Sequence, residues 1–455
     1  MVCLLQCVGM CALLAVQTGA AALKYTVPFR APDSATPVDC TPIGLSFEFY
    51  MWPSYMTNIT PPMHCTHRMS DIYGKRMPIR IGGTTQDRAT YDSNFDGYVS
   101  YRNDDPLVAP MELTYGPKFW DLIPVYGGET MLGFNRGDNN RTNTFMAVEE
   151  ARRRAGPTIW AIELGNEPGV YSYWNKSIAT PPWNASQEGE DAADWAQDFI
   201  NTWKLPNPIL TAGSYAANFP DTPTWPNVPY LIHTAFNETI KAAIKYYSGH
   251  LYAAPPNETD LAGEMNHAKT VADLSVFAES IEAAHSVGRP YILGESSFHP
   301  FDVRMDETFG AALAALDKSM RGVTMGIDPD SIKALFNWWS DNQINSPFYG
   351  GYMAVLALAN GDSIIELDQG GSSYAAYVIY RRGEAAKVLL INTDYYDGTG
   401  KRPITKFTLD GLQGRFVEGV RLTAATSEIT TTAEQIRGSP HPTLGGNVPQ
   451  SPALA

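Results

Sequence analysis

No run of Lys and Arg longer than Arg152-Arg153-Arg154 stands anywhere in this chain. Its 33 Lys and Arg face 48 Asp and Glu, a formal net charge of −15. Such a surface repels phosphate backbones, so nucleic acid is not an expected partner, and a highly sulfated polysaccharide is disfavoured for the same reason. The sequence has neither G-x-G-x-x-G nor G-x-x-x-x-G-K-[ST], the phosphate-binding loops of doubly wound sheets. It has no G-x-S-x-G nucleophile elbow either, which argues against a serine hydrolase. Beyond the first 22 residues no stretch is apolar for long enough to span a bilayer, so no membrane association is expected. Cysteine is scarce: of five, Cys3, Cys7 and Cys11 fall in the first 22 residues and only Cys40 and Cys65 lie beyond.

What stands at the start is an apolar opening, Val2-Cys3-Leu4-Leu5 and then Met10 to Val16, followed by small residues from Gly19 to Ala22. It resembles a secretory signal peptide lacking the usual basic start; the competing reading is a buried N-terminal strand or helix. Removing 1–22 leaves Cys40 and Cys65, able to form one disulfide in an oxidising compartment or to stay as two buried thiols. Asn-x-Ser/Thr sequons begin at Asn58, Asn140, Asn175, Asn184, Asn237 and Asn257. They give modest support to an extracellular, glycosylated protein. His64-Cys65-Thr66-His67 could suggest a metal site, but without H-E-x-x-H or further ligands it reads as a surface loop. No metal or cofactor is expected.

Length and texture point to a large domain with a smaller one behind it. Between 41 and 365, short apolar runs at 43–49, 77–81, 131–135, 159–164, 209–214, 247–252, 291–294 and 332–338 read as strands. Helical periodicity appears at 145–154, 191–203, 271–287 and 308–320, and is thin after the first two strands. Alternation of this kind implies a parallel sheet, and eight strands fit an α/β (β/α)8 TIM barrel, with a doubly wound sheet as runner-up. From 366 to 436 strands follow one another without helices, predicting a C-terminal antiparallel β-sandwich domain. Residues 23–40, with a strand near 24–27, could join that domain. The tail 437–455, rich in Gly, Pro and Ser, is expected to be disordered and to offer no closing strand.

Two glutamates end apolar strands. Ile162-Glu163-Leu164-Gly165-Asn166-Glu167-Pro168 places Glu167 where active-site loops leave the fourth strand, because Pro168 cannot continue it. Tyr291-Ile292-Leu293-Gly294-Glu295 ends the seventh. Two carboxyl groups on opposite sides of one funnel are what glycoside hydrolysis needs: one protonates the departing oxygen, the other stabilises or attacks the anomeric carbon. Taken singly, either could be a salt-bridged rim residue.

These residues resemble the clan of barrel glycosidases, in which the Asn-Glu after strand 4 is the acid/base and a strand-7 Glu the nucleophile. Arg80-Ile81-Gly82-Gly83-Thr84 with Asp87, Glu163 to Pro168, Leu293-Gly294-Glu295 and Met325-Gly326-Ile327 resemble, in order and spacing, glycoside hydrolase family 79, the β-glucuronidases and heparanases. The likeness spans about 40 to 425. It implies Glu167 as acid/base, Glu295 as nucleophile, Asn166 on the sugar 2-hydroxyl and Tyr252 orienting Glu295. It also implies that Tyr349 and Gly350 lie in a loop receiving the glucuronate carboxylate, with Glu48 and Asp87 as candidates for sugar hydroxyls. Where heparanases carry basic segments and a Tyr-Gly-Gly after the nucleophile, this chain has no such cluster and reads Phe298-His299-Pro300. The expectation is therefore a secreted retaining β-glucuronidase acting on a glucuronic-acid-containing glycan, 4-O-methylated or not. A barrel glycosidase of other sugar specificity, or a non-catalytic carbohydrate-binding protein on the same fold, are the alternatives.

Overall fold

The computed structural model describes residues 21–442 apart from 104–107, 204–205, 218–221, 223, 253–259, 298–302, 328–331, 335–337, 341–342, 369, 413–415 and 431–436. The expected leader, Asn257 and Phe298-His299-Pro300 lie outside the described residues.

Eight parallel strands close into a barrel: β1 (Ile43–Glu48), β2 (Ile79–Gly82), β3 (Thr130–Phe134), β4 (Ile159–Leu164), β5 (Leu210–Tyr215), β6 (Ile244–Tyr252), β7 (Tyr291–Ser297) and β8 (Ile332–Ala334). β8 returns to β1, pairing Ile332 with Ile43 and Ala334 with Leu45. All eight expected strands are present. Every residue of β1, β2 and β3 is buried. Strands lying between a filled interior and an outer layer of helices see water on neither face, which explains why they read as unbroken apolar runs.

The outer layer comprises α1 (Thr60–Tyr73), α2 (Lys118–Tyr126), α3 (Arg141–Ala155), α4 (Ala185–Trp203), α5 (Glu238–Ala243), α6 (Ala278–Ser286), α7 (Phe309–Thr324) and α8 (Ser346–Leu358). α1 and α2 fill the places where helical periodicity is weak. α1 carries Pro61 and Pro62 in its first turn, where a missing N–H costs little, and ends on Gly74 at φ +72°. The motif His64-Cys65-Thr66-His67 lies on α1 rather than in a loop, with Cys65 buried, both imidazoles exposed, and Cys40 and Cys65 both free thiols. Sequon residues Asn140 and Asn237 cap α3 and α5, accepting from the N–H groups of Asn143 and Ile240. The expected helix at 271–287 is two, His267–Ser275 and α6, because the chain turns to bury Phe277 against Tyr291. Between β2 and α2 an unforeseen three-stranded sheet is inserted, Ala89–Tyr91, Val99–Tyr101 and Leu113–Tyr115.

The second unit is a meander of β9 (Ser363–Glu366), β10 (Tyr374–Arg381) and β11 (Glu384–Asn392), with Thr36–Pro37 on the outer edge of β9. It thus begins at Ser363, slightly before the expected 366. β12 (Thr405–Asp410) pairs in parallel with Ala21–Thr26, so the N-terminal segment supplies two strands. Arg437–Pro442, expected to be disordered, pairs with Glu418–Thr423. Pro440 and Pro442 lack an N–H, but a two-stranded ribbon is all edge and tolerates them.

His267 fastens the two units. Its Nδ1 lies 2.9 Å from both oxygens of Asp317 on α7, and its Nε2 lies 3.1 Å from Asp368 and 3.2 Å from Glu366 at the end of β9. Burial alone would discharge this ring, but the three carboxylates outweigh it and push its pKa up to about 11. His267, Glu366 and Asp368 are, among the described residues, a grouping whose donor atoms could share a cation; the imidazolium and Arg321 on Glu366 already supply the positive charge there. His267→Ala leaves buried carboxylates uncompensated and is expected to cost about 3–5 kcal/mol. Because the folded pKa is the raised one, the contribution is complete below the unfolded value of about 6.5 and fades as pH climbs toward 11. Urea titrations of wild type and variant at pH 6 and pH 9.5 check this: the gap narrows at the higher pH.

Candidate active site

The site is organised by a buried cation inside the barrel. Arg80, on β2, is fully buried. Its guanidinium donates to Ser46 on β1 (3.0 Å), to Glu163 on β4 (2.5 and 3.3 Å), to Asn166 Oδ1 (2.7 Å) and to Glu295 on β7 (2.9 Å). One side chain reaches β4 and β7 at once only through the barrel interior. Burial works against the charge on Arg80, but Glu163 and Glu295 outweigh it and keep it cationic. Glu163 is likewise held ionised: Arg80 overcomes its burial, and Ser214 donates to it at 2.7 Å.

Local sequence explains how the ends of β1 and β2 fit around this group. A Cβ at Gly82 would come within 2.9 Å of the Arg80 guanidinium carbon, and one at Gly83, where φ is +93°, would collide with the Glu48 carboxylate. The two glycines make room for Arg80 and Glu48 respectively. Thr85 then donates both its N–H (2.8 Å) and its hydroxyl to Glu48 Oε1.

After β4 the chain turns sharply. Gly165 takes φ +88° beneath Tyr171, and Glu167 itself sits at φ +51°, a left-handed conformation that a residue with a Cβ rarely adopts. The Glu167 N–H donates to Ser214 O at 3.0 Å, tying the turn to β5. Glu167 is thereby aimed at β6, where His250 Nδ1 lies 3.0 Å from its Oε1 and 3.8 Å from Glu295 Oε2. Two carboxylates reaching one nitrogen at 3.0 and 3.8 Å have these oxygens no more than ~6.8 Å apart. Burial pushes the Glu167 carboxyl up to about 7. Burial also lowers His250 to about 4, so its ring is neutral near neutral pH. His250 Nε2 finds no partner among the described residues. A proton there would be buried without an acceptor, so the hydrogen belongs on Nδ1, facing Glu167.

Glu295 ends β7 with Arg80 on one oxygen and the Tyr252 hydroxyl on the other. Across from it, Glu48 is raised to about 7 by burial and by the charge of Glu295.

The structure therefore brings together Glu167, Glu295, Asn166, Tyr252 and Glu48. Asp87 lies alongside but is committed elsewhere. Its Oδ1 accepts from the N–H groups of Arg136 (2.8 Å) and Gly137 (2.9 Å), its Oδ2 from Asn166 N–H (2.6 Å) and the Tyr171 hydroxyl (2.7 Å). Four donors leave no lone pair for a sugar hydroxyl, and Asp87 instead fastens the loops after β3 and β4. Tyr349 and Gly350 are not in a loop at all. They lie in α8, Tyr349 buried against Phe348, and a Cβ at Gly350 would collide with the Ala312 carbonyl of α7. The glycine serves close helix packing, and the helix claims its backbone. Arg80, Glu163 and His250 complete the site without having been singled out as site residues. Their signal was available: a charge in the middle of an apolar barrel strand (Ile79-Arg80-Ile81, Ile162-Glu163-Leu164) must find a partner across the interior.

Comparison with known proteins bears on the family. The model of the glycosyl hydrolase family 79 C-terminal beta domain matches residues 376–448. Across nearly the whole chain, the structure is similar to a 4-O-alpha-L-rhamnosyl-beta-D-glucuronidase from Fusarium oxysporum, solved with Rha-GlcA. Identity is 32%, the TM-score is 0.83, and the match covers 92% of this chain and 91% of that one. A beta-glucuronidase of Aspergillus niger is 26% identical, covering 83% of this chain and 77% of its own length. One from Neurospora crassa is 25% identical, covering 86% and 78%. The chain belongs to glycoside hydrolase family 79 and is a glycoside hydrolase.

Proposed function

We propose that the protein is a secreted retaining β-glucuronidase, releasing terminal β-linked glucuronic acid, with or without 4-O-methylation, by double displacement. The observation that carries this is the pair of carboxylates sharing His250. A bound of ~6.8 Å between their facing oxygens suits the ~5 Å spacing of retention better than the wider gap that admits a water.

Glu167 acts as the acid. With its pKa raised to about 7 it is protonated at mildly acidic pH. The Nδ1–H of His250 occupies Oε1 and leaves Oε2 to carry the proton to the glycosidic oxygen. Glu295, oriented by Arg80 and Tyr252, attacks the anomeric carbon, and the leaving sugar departs with the proton of Glu167. Water, deprotonated by Glu167, then hydrolyses the glycosyl-enzyme. Asn166 contributes through its amide: Oδ1 is turned to Arg80, so Nδ2 faces the cleft as a donor to the 2-hydroxyl. Glu48 offers a carboxylate oxygen to another sugar hydroxyl. An anionic protein surface favours a substrate carrying a single carboxylate over a polysulfated one.

Hydrolysis of p-nitrophenyl β-D-glucuronide, its 4-O-methyl and 4-O-rhamnosyl derivatives, and the matching glucoside and xyloside tests the assignment. The glucuronides are expected to be turned over roughly 100-fold faster than the neutral glycosides, as the likeness to named beta-glucuronidases implies. Comparable rates on the xyloside or glucoside would contradict it. Secretion is tested by the N-terminus of the exported protein, expected close to the beginning of the strand Ala21–Thr26.

A further inference from the structure

Six described residues other than glycine take a left-handed backbone. Asn139, Asn175, Asn360 and Arg382 are exposed, and asparagine accepts that conformation more readily than most side chains. The other two are Glu167, at φ +51°, and Ser214, at φ +52° and only 1% exposed. They are joined to each other: the Glu167 N–H donates to the Ser214 carbonyl at 3.0 Å. A left-handed residue with a Cβ persists where its surroundings over-determine it, and such residues gather at functional sites.

The surroundings of Ser214 do over-determine it. β5 bulges at its end, where its register with β6 slips between Gly213 and Tyr215. A bulge of this kind re-aims the groups beside an active site. Gly213 opens it at φ +95°, and a Cβ there would come within 2.5 Å of the Ser248 carbonyl oxygen on β6. Inside the barrel, the Ser214 hydroxyl donates at 2.7 Å to Glu163 Oε2, which also accepts from Arg80 Nε at 3.3 Å. On the helix side, the Tyr215 hydroxyl donates to Glu188 of α4, itself paired with the buried Arg136 at 2.8 Å. The end of β5 is thus pinned on both faces by buried carboxylates, each tied to an arginine. A hydroxyl bonded to a charged carboxylate holds more firmly than one bonded to a neutral acceptor.

Resting on the assignment of Glu167 as acid, we infer that Ser214 is a positioning residue for that acid: its hydroxyl, held by Glu163, fixes the carbonyl that receives the Glu167 N–H and so sets the direction of the Glu167 carboxyl. The Arg80–Glu163 pair then serves both glutamates, since Arg80 donates to Glu295 directly and Glu163 reaches Glu167 through Ser214. Proton transfer needs the donor oxygen aimed at the glycosidic oxygen, and a displacement of about 1 Å can cost on the order of 100-fold. Glu295 takes its own orientation from Arg80 and Tyr252. Loss of the Ser214 hydroxyl therefore acts on proton donation rather than on nucleophilic attack.

Two variants test this. Ser214→Ala removes the hydroxyl and keeps the strained Cβ, whereas Ser214→Gly removes the hydroxyl and accepts the left-handed backbone, so it is expected to stay folded. For wild type, both variants and Glu167→Gln, kcat/KM is measured on two substrates. Phenyl β-D-glucuronide has a leaving group that needs a proton; 2,4-dinitrophenyl β-D-glucuronide has one that does not. The phenyl-to-dinitrophenyl ratio is expected to fall about tenfold in both Ser214 variants, part of the roughly 10^2–10^4-fold that a general acid supplies. The fall of kcat/KM above pH 7 should remain on the phenyl substrate, because the Glu167 carboxyl is still present. An unchanged ratio in both variants, whether the two rates hold or drop together, overturns the positioning role. If Glu167→Gln also keeps the wild-type ratio, the acid assignment fails instead, and if wild type hydrolyses neither glucuronide, the glucuronidase reading fails.

Discussion

Glu295→Ala is expected to lower kcat on an aryl β-D-glucuronide by roughly 10^4-fold or more, the scale seen when a covalent nucleophile is deleted. The fold should survive. Arg80 keeps two hydrogen bonds to Glu163 and one to Asn166, and Glu48 loses the like charge beside it. Stereochemistry makes this result specific. With the nucleophile gone, azide can enter from the vacated face and should yield the α-glucuronosyl azide, a single inversion. With the acid gone instead, as in Glu167→Ala, the glycosyl-enzyme still forms on an activated substrate, and azide should yield the β-azide by two inversions. The same azide anomer from both variants would show that the two glutamates do not hold opposite roles.

The second large effect concerns Glu167. Glu167→Gln removes a proton donor and is expected to cost roughly 10^2–10^4-fold on a sugar leaving group. A dinitrophenyl leaving group, which departs as a stable anion, should lose far less in the first step. The pH profile should change as well. A carboxyl raised to about 7 is protonated below that value, so wild-type kcat/KM is expected to fall as pH rises through about 7. The Gln variant should lose that limb. Stability provides the complementary sign. Because its folded pKa is raised above the ordinary 4.5, Glu167 weakens the fold progressively as pH climbs from about 4.5 to about 7 and fully above that, so the Gln variant should unfold at higher urea than wild type at pH 8.5 and match it more closely at pH 5.

How much of this was legible beforehand depended on the kind of constraint. The barrel strands announced themselves because burial on both faces enforces apolar runs. α1 and α2 did not, since Pro61, Pro62 and the internal Pro124 disguise helices that tertiary packing imposes. Glu167 and Glu295 were readable as strand-end carboxylates, but their meeting at His250 was not, for no local pattern couples strands so far apart in the chain. The Ser346–Leu358 helix shows the converse error. Gly350 and Gly351 suggested an open loop, yet each lies where a Cβ would collide, Gly350 with Ala312 and Gly351 with Trp338. A glycine pair signals close approach of something, and only the fold says whether that is a ligand or another helix. Asp87 repeats the lesson for an acid: a carboxylate at a strand end next to a site can serve the loops rather than the sugar.

The most direct measurement is to trap the glycosyl-enzyme with a 2-deoxy-2-fluoro-β-D-glucuronoside bearing a dinitrophenyl leaving group, and to map the added mass by peptide sequencing. The electron-withdrawing fluorine slows both steps, and the activated leaving group lets the first proceed. The account predicts one glucuronosyl residue per chain, esterified to Glu295, with Glu167 unmodified. Attachment to any other residue, or hydrolysis of unfluorinated substrate with release of the α-anomer and no trapped species, would contradict it.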